Sequence, residues 1–140
     1  MTFDTRLLCN RSIHSEVLRF CRAELVDENY FHAVFEATKS IAERIRELSG
    51  LSGDGSVLIE QAFNLKHPLL AINGLSTEVE ESEQTGYQNL LKGIFGMFRN
   101  TTAHAPKIKW KVTEEEAIEL LTLVSFAHRK LDRAVRTYNN

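Results

Sequence analysis

The amino-acid sequence predicts an all-α protein, an up-and-down bundle of about four long helices plus one short helix. Apolar residues recur every three or four positions through most of the chain, which is the spacing of amphipathic helices. The sequence lacks the alternating apolar and polar runs typical of strands, and its one Asn-Gly turn is Asn73-Gly74. Because 140 residues are the usual length of one domain, we expect residues 1–140 to form a single domain.

The N-terminal third is predicted to form two helices joined by a short turn. The first spans about Ser12 to Val26 with Ser12 as its N-cap, and Asp27 is expected to cap the second. Gly50 is well placed to end the second helix. Its apolar residues share one face, and the opposite face is predicted to be a polar stripe of Glu36, Ser40, Glu43 and Glu47.

A long helix is predicted from the capping box of Thr77 and Glu80 to about Phe98. Gly93 and Gly96 lie inside this helix, and each weakens it by about 1 kcal/mol relative to alanine. These two costs indicate that another helix or a partner subunit packs close to it.

The last helix opens at a second capping box, formed by Thr113 with Glu116. It is predicted to run to about Tyr138, with Val135 facing the core. A short helix is predicted to begin at Ser56, after a glycine-rich turn.

Composition places the chain among soluble globular proteins, with 43 % hydrophobic and 26 % charged residues. No apolar run approaches the roughly 18 residues of a membrane span, and the N-terminus has no signal-peptide pattern. We therefore expect a cytoplasmic protein without a membrane partner. Cys9 and Cys21 lack metal-ligand spacing and are expected to be reduced, partly buried thiols. The sequence has no carboxylate or Cys/His cluster for a metal, so neither a metal nor another cofactor is expected.

Charged residues are unevenly distributed along a chain whose net charge is −2. Acidic residues crowd the segment TEVEESEQ, whereas positions 92–111 contain no acidic residue. The basic residues of that window are Lys92, Arg99, Lys107, Lys109 and Lys111. A local basic patch attracts polyanions, so Lys107, Lys109 and Lys111 are candidate RNA-binding residues. The alternative is that these lysines belong to a solvated loop.

The stretch FRNTTAH brings Arg99, Asn100 and His104 to the end of an apolar helix. Arginine holds a phosphate with two parallel hydrogen bonds, and histidine transfers protons near neutral pH. Asn100 adds a neutral donor and acceptor. This trio suits metal-free RNA cleavage, in which a base removes the 2′-OH proton and arginine stabilises the charge on phosphorus. One site has one histidine, so a symmetric dimer would supply both a base and an acid.

A structural alternative remains open for these residues. Arg99 would then cap carbonyl groups at a helix end, and His104 would be hydrogen-bonded in a turn. The other histidines are expected to lie at the surface or in a satisfied core: His14, His32, His67 and His128.

The segment FRNTTAH, between two long helices, resembles the Arg-x(4–6)-His signature of the HEPN superfamily. Longer blocks resemble the Ymh-like branch, a group of bacterial and phage hypothetical proteins: YFHAVFEATKSIAERIRELSG, SGDGSVLIEQAF, EQTGYQNLLKGIFGMFRNTTAHAP and AIELLTLVSFAHRKLDRA. These blocks occur in order over residues 12–135. The resemblance implies a HEPN-like helical bundle, usually dimeric. Many HEPN proteins are metal-independent endoribonucleases of toxin–antitoxin, abortive-infection or other defence systems.

The resemblance places the motif on Arg99, Asn100 and His104. Some HEPN toxins have a tyrosine two residues after the histidine, where this chain has Pro106. The superfamily also contains inactive members that bind nucleotides or partners. We therefore expect either an endoribonuclease, with RNA, a second copy and an antitoxin protein as partners, or a non-catalytic module that binds a nucleotide, RNA or protein. A purely structural bundle is the third possibility.

Two further pairs are second-rank candidates that would support the site. Glu83 and Gln84 belong to an EQ-x-G block of the Ymh-like branch, and the alternative is a cluster on the helix surface. Glu36 and Lys39 lie on the second helix, where HEPN proteins often place a polar residue facing the cleft. The alternative for this pair is a solvated stripe.

Overall fold

Five α-helices form most of the structure, a computed structural model that describes residues 13–99 and 111–137. They are α1 (Ser15–Val26), α2 (Tyr30–Ser49), α3 (Gly55–Phe63), α4 (Glu78–Ile94) and α5 (Glu114–Arg133). A π-helical turn, Phe95–Arg99, continues α4 without interruption. The structure thus confirms the predicted all-α bundle of four long helices and one short helix.

Helix α2 is the centre of the bundle, because it packs against α1, α3, α5 and the π-helical turn. Helix α5 runs parallel to α2. The Tyr30 hydroxyl lies 3.5 Å from a carboxylate oxygen of Glu114 at the beginning of both helices, and Arg44 pairs with Asp132 near their ends. Helices α2 and α5 therefore begin at the same end of the bundle.

Helix α4 runs antiparallel to α5. Lys130 Nζ donates to a Glu83 carboxylate oxygen at 2.9 Å, and the Tyr87 hydroxyl donates to the Ala127 carbonyl at 2.6 Å. The later residue of α4, Tyr87, therefore contacts the earlier residue of α5, Ala127, as expected for antiparallel helices. The π-helical turn at the end of α4 consequently lies beside the beginning of α5.

The core fills the space between α2 and its neighbours. Its largest fully buried side chains are Phe63, Phe95, Leu25, Ile41, Ile45, Leu58, Ile59, Leu70, Leu91, Ile94 and Leu121. Burial of each such side chain contributes about 1.5–3 kcal/mol of hydrophobic stabilisation. Cys21 belongs to this core as a free thiol, and burial raises its pKa to about 12. Cys9 lies outside the described residues.

Three predicted helix ends are confirmed by cap geometry. The Thr77 and Thr113 side chains each accept the N–H of the residue three positions on, Glu80 and Glu116, at 3.1 Å. Gly50 ends α2 in the left-handed conformation, with φ of 78°. Local hydrogen bonding decides these ends, so they are readable from sequence.

Other predicted caps are wrong. The N-cap of α1 is His14, whose Nδ1 accepts the Glu16 N–H at 3.0 Å, and Ser12 lies outside the described residues. Asp27 closes α1 instead of opening α2, because the chain makes a further turn and Asn29 caps α2. The short helix begins at Gly55 with Asp54 as its N-cap, one residue before the predicted start.

The C-terminus also departs from prediction. Helix α5 ends at Arg133, and the next residues form strand β2 (Val135–Arg136), which pairs antiparallel with strand β1 (Leu70–Ala71). The Thr137 N–H extends the pairing by donating to the Leu69 carbonyl at 3.0 Å. Val135 is therefore 60 % exposed and does not face the core. Pairing with the distant β1 segment replaces the last predicted helical turn.

Two further expectations concern the faces of α2 and α4. Ser40 is fully buried, so it does not belong to the predicted solvent stripe; it bonds to a histidine of α5. Gly93 is exposed, and no described atom of this chain lies within 4 Å of a Cβ built on it. Within the described ranges, none of the helices combines the length and apolar character that crossing a membrane requires.

Candidate functional site

The two ends of the segment that carries the sequence motif emerge at one end of the bundle. Phe98, in the π-helical turn, and Thr113, the N-cap of α5, line the same surface depression of about 340 Å³. We call this end, formed by residues 27–31, 97–99 and 111–116, the motif end. Asn100, His104, Lys107 and Lys109 lie outside the described residues. Their grouping with Arg99 stays a prediction.

The π-helical turn places Arg99 at the last position of the α4 continuation. Phe95 and Phe98 of this turn are buried, whereas Met97 is 62 % exposed. A π-helical turn inserts extra residues into the helical register, and such insertions occur frequently at functional sites. The sequence predicted a helix to about Phe98 but gave no indication of the change in helix type.

Lys111 is exposed at a second depression of the motif end, with a volume of about 560 Å³. The turn between α1 and α2 and the first residues of α2 also line this depression: Asp27, Glu28, Asn29, Tyr30 and Phe31. The N-termini of α2 and α5 lie at this depression, and their peptide dipoles favour anions there. Lys111 is thus the one predicted RNA-binding lysine that falls within the described ranges.

Acidic side chains accompany these positive features. Asp27 and Glu28 line the Lys111 depression, and Glu115, Glu116 and Glu119 line the other. Burial, followed by the nearby Glu114 carboxylate, raises the pKa of the Tyr30 hydroxyl. The window from 92 to 111 is free of acids in sequence, but folding brings acids from the α1–α2 turn and from α5 to its edges.

Glu36 and Lys39 pair with each other along α2, with Nζ and a carboxylate oxygen 3.4 Å apart. Lys39 Nζ also lies 5.4 Å from the centre of the Phe35 ring. Both side chains are partly exposed. These contacts are those of a helix-surface ion pair, which contributes little stability.

Glu83 and Gln84 hold the long connection before α4. Gln84 is fully buried; its Oε1 accepts the Ile72 N–H at 3.0 Å, and its Nε2 donates to the carbonyls of Phe63 and Leu70 at 3.2 and 2.8 Å. The two residues precede Arg99 by four helical turns, so they lie roughly 22–24 Å from it along the helix axis.

The Glu83 carboxylate accepts from Asn73 Nδ2 at 2.7 Å and from Lys130 Nζ at 2.9 Å. The hydrogen bond from Asn73, followed by the one from Lys130, holds the pKa of Glu83 below its usual range. Glu83 thus ties the loop and α5 to α4. The described contacts of both residues organise the framework, at a distance from the motif end.

Sequence analysis missed a polar cluster at the opposite end of the bundle. It consists of His14, Ser40, Arg44, His128 and Asp132, which join α1, α2 and α5. Arg44 pairs with Asp132 and donates to the His128 carbonyl at 3.1 Å. The sequence feature that could have indicated this cluster is the four-residue spacing of Ser40 with Arg44 and of His128 with Asp132. This spacing places each polar pair on one face of its helix, and both faces point inward.

The hydrogen bonds of this cluster determine the protonation of its histidines. His14 Nδ1 accepts a backbone N–H, so its proton lies on Nε2 and points to Asp132, 3.0 Å away. Ser40 Oγ donates to the Ala37 carbonyl at 2.5 Å, so it accepts from His128 Nε2 at 2.8 Å. Both nitrogens of each imidazole thus have a hydrogen-bond partner, since His128 Nδ1 lies 3.4 Å from an Arg44 nitrogen. The cluster is therefore suited to joining helices and leaves neither ring as a free base.

Burial and neighbouring charges shift the pKa values of His128 and Asp132. Burial, followed by the neighbouring His14 and Arg44, lowers the pKa of His128 to about 3. Burial alone would raise the pKa of Asp132, but hydrogen bonds from Arg44 and His14 outweigh it and hold the pKa below its usual range. Asp132 is therefore ionised and His128 neutral at pH 7.

Comparison with known proteins gave one match. A family model described as "Protein of unknown function (Hypoth_ymh)" matches residues 11–131. The match agrees with the sequence blocks attributed above to the Ymh-like branch. No curated protein and no solved structure matched the chain.

Proposed function

We propose that this chain, which belongs to the Hypoth_ymh family, is a HEPN-like endoribonuclease that cleaves RNA without a metal. The observation that carries the proposal is the sequence FRNTTAH together with the position of its ends. Arg99 ends the π-helical turn at the end of the bundle where α2 and α5 begin. The motif residues would thus lie beside two helix N-termini, which favour a phosphate.

The proposed reaction is a transesterification within the RNA strand. His104 removes the proton of a 2′-OH, whose oxygen attacks the adjacent phosphorus, while the bond from phosphorus to the 5′-oxygen breaks. Arg99 stabilises the charge that develops on the phosphoryl oxygens, with Asn100 as an additional donor. The leaving 5′-oxygen takes a proton from the His104 of a second copy. The products are a 2′,3′-cyclic phosphate and a 5′-hydroxyl.

The biological setting we propose is a defence or toxin–antitoxin system in which an antitoxin protein restrains the nuclease. Lys107, Lys109 and Lys111 would hold the RNA backbone on either side of the cleaved bond. Pro106 in place of the tyrosine of some HEPN toxins removes one contact to the substrate.

Cleavage is tested with purified protein and a labelled RNA in the presence of EDTA. The expected result is cleavage that leaves 2′,3′-cyclic phosphate ends and that falls at least about 100-fold in Arg99→Ala and His104→Ala. Arg22→Ala and His32→Ala are matched controls, since both residues are exposed on α1 and α2. Equal activity of the motif variants and the wild type would reject the proposal.

A second candidate function is a non-catalytic module that binds RNA, a nucleotide or a protein through the same end. The acidic residues that line both depressions at the motif end favour a protein as the partner of such a module, since carboxylates repel a polyanion. If the module binds RNA instead, RNA binding without turnover, unchanged by His104→Ala, is the expected signature. Fluorescence anisotropy over a series of salt concentrations measures that binding directly.

A further inference from the structure

Helix α5 carries a second regular stripe on its outward side. The stripe follows spacings of three and four residues, the pattern of a helix that packs against another helix: Glu116, Glu119, Leu123, Phe126, Lys130 and Arg133. Phe126 is 45 % exposed at its middle, and Leu123 is partly buried beside it. We call these six residues the outer stripe of α5.

The charges of this stripe are ordered along the helix. Its first half is acidic and its last part is basic, with the apolar residues between them. Glu116, Glu119 and Arg133 have no ion pair with any residue in the described part of the chain, whereas Lys130 pairs with Glu83. The helix dipole alone favours acids in the first turn and bases in the last. It does not account for an exposed phenylalanine between them.

An open groove adjoins Phe126. It has a volume of about 240 Å³ and lies between α4 and α5, with Ile72, Gly86, Tyr87 and Leu90 among its lining residues. Gly86 and Gly93 have no side chains, and no described atom of another part of the chain lies within 4 Å of a Cβ built on either residue. The adjoining face of α4 is therefore open at these two positions. The groove extends the apolar centre of the outer stripe and leaves room for a side chain from a second helix.

We propose that the outer stripe of α5 binds the same stripe of a second copy of this chain, with the two helices antiparallel. Phe126 of each copy then faces Leu123 of the other, Glu116 faces Arg133, and Glu119 faces Lys130. A parallel arrangement would oppose acid to acid and base to base, which is unfavourable. The surface is complementary to itself only in the antiparallel orientation, as an isologous two-fold contact requires.

This contact is separate from the proposed nuclease function. With the two-fold axis between Leu123 and Phe126, the first residues of the two α5 helices lie about 32 Å apart along the helix axes. The motif ends therefore point away from each other. Dimerisation through α5 and any pairing of two motifs in one cleft are distinct events, and the test below measures the oligomeric state without measuring cleavage.

The test uses sedimentation velocity on the full chain from about 5 to 300 μM. Wild type is expected to dimerise, and Glu116→Arg and Arg133→Glu are each expected to weaken the dimer at least about fivefold, because symmetry repeats each repulsion twice. An equimolar mixture of the two single variants is expected to dimerise as well as wild type. In the mixed dimer Arg at 116 of one chain faces Glu at 133 of the other, and the three remaining native charge pairs are kept.

Phe126→Ala should weaken the dimer further, with Val57→Ala as the control, since Val57 is exposed on α3. Far-UV circular dichroism verifies that each variant is folded, and the restored dimer of the mixture verifies it independently. A wild type that is monomeric at 300 μM would overturn the proposal and indicate another partner for this face. A dimer insensitive to both charge reversals, or a mixture that stays monomeric, would also overturn it.

Discussion

The Nε2 atom of His128 lies 2.8 Å from the Oγ atom of Ser40, and both side chains are fully buried. This bond joins α5 to α2 inside the core. Because the Ser40 hydroxyl donates its hydrogen bond to the Ala37 carbonyl, His128 Nε2 must donate to Ser40, and burial keeps the ring neutral. A protonated ring would place a charge in the core next to Arg44. This relationship makes the stability of the bundle dependent on pH.

Acidification below pH 6.5 is expected to destabilise the protein through His128. Its pKa falls from 6.5 when exposed to about 3 in the folded state, so the unfolded chain binds the proton first. Stability is therefore present above pH 6.5 and is lost as pH falls toward 3. Between pH 7 and 5 the loss from this residue is about 2 kcal/mol. Urea unfolding at a series of pH values measures it.

The matched variants for this pH effect are His128→Asn and His32→Asn. His128→Asn should remove most of the pH dependence between 7 and 5, whatever its effect on stability at pH 7. His32 is exposed, so His32→Asn should leave the pH dependence unchanged. An unaltered pH profile in His128→Asn would show that other groups cause the loss.

Replacement of Gln84 by leucine is expected to destabilise the bundle by about 3 kcal/mol or more. The substitution leaves the Ile72 N–H and the carbonyls of Phe63 and Leu70 without their side-chain partner in the core. Each unsatisfied buried group costs about 1–3 kcal/mol. Thermal or urea unfolding provides the measurement. Gln88→Leu, one turn further along α4, is the control and should change stability by less than about 1 kcal/mol.

Replacement of Glu28 by glycine is expected to stabilise the protein by up to about 1 kcal/mol. Glu28 has φ of 57° in the turn between α1 and α2, a left-handed conformation that costs a residue with a Cβ about 1–2 kcal/mol. Glycine removes that strain but adds flexibility to the unfolded chain. The free energy of unfolding in urea decides the outcome. Asp27→Gly, at φ of −84°, should give no gain, and a gain of equal size there would refute the explanation.

His14 is expected to act as the N-cap of α1, a role that asparagine can take over and alanine cannot. Its Nδ1 accepts the Glu16 N–H at 3.0 Å, and asparagine is among the best N-caps. His14→Ala should therefore be about 1 kcal/mol less stable than His14→Asn, and both lose the contact with Asp132. Hydrogen exchange of the first amides of α1 compares the two variants. Equal protection would mean that the cap contributes nothing.

The candidate site could be predicted only as a pattern. The residues of FRNTTAH are adjacent in sequence, so their chemistry is visible without a fold. The carboxylates of Asp27 and Glu115 reach the edges of the same region only after α1, α2 and α5 pack together. Likewise, Glu83 and Gln84 were predicted as site residues because they belong to a family block. Their hydrogen bonds to Asn73 and Ile72 became visible only in the fold.

By itself the sequence determined the helical class, the number of helices and the helix ends at Gly50, Thr77 and Thr113. These features depend on contacts within about four residues, which the order of the chain specifies. The tertiary structure alone decided the burial of Ser40, the cluster around His128 and the exit of Val135 into a strand. Each of these depends on partners that lie far away in sequence, from about 65 to more than 100 positions. Such residues come into contact only when the helices pack against one another in the folded protein.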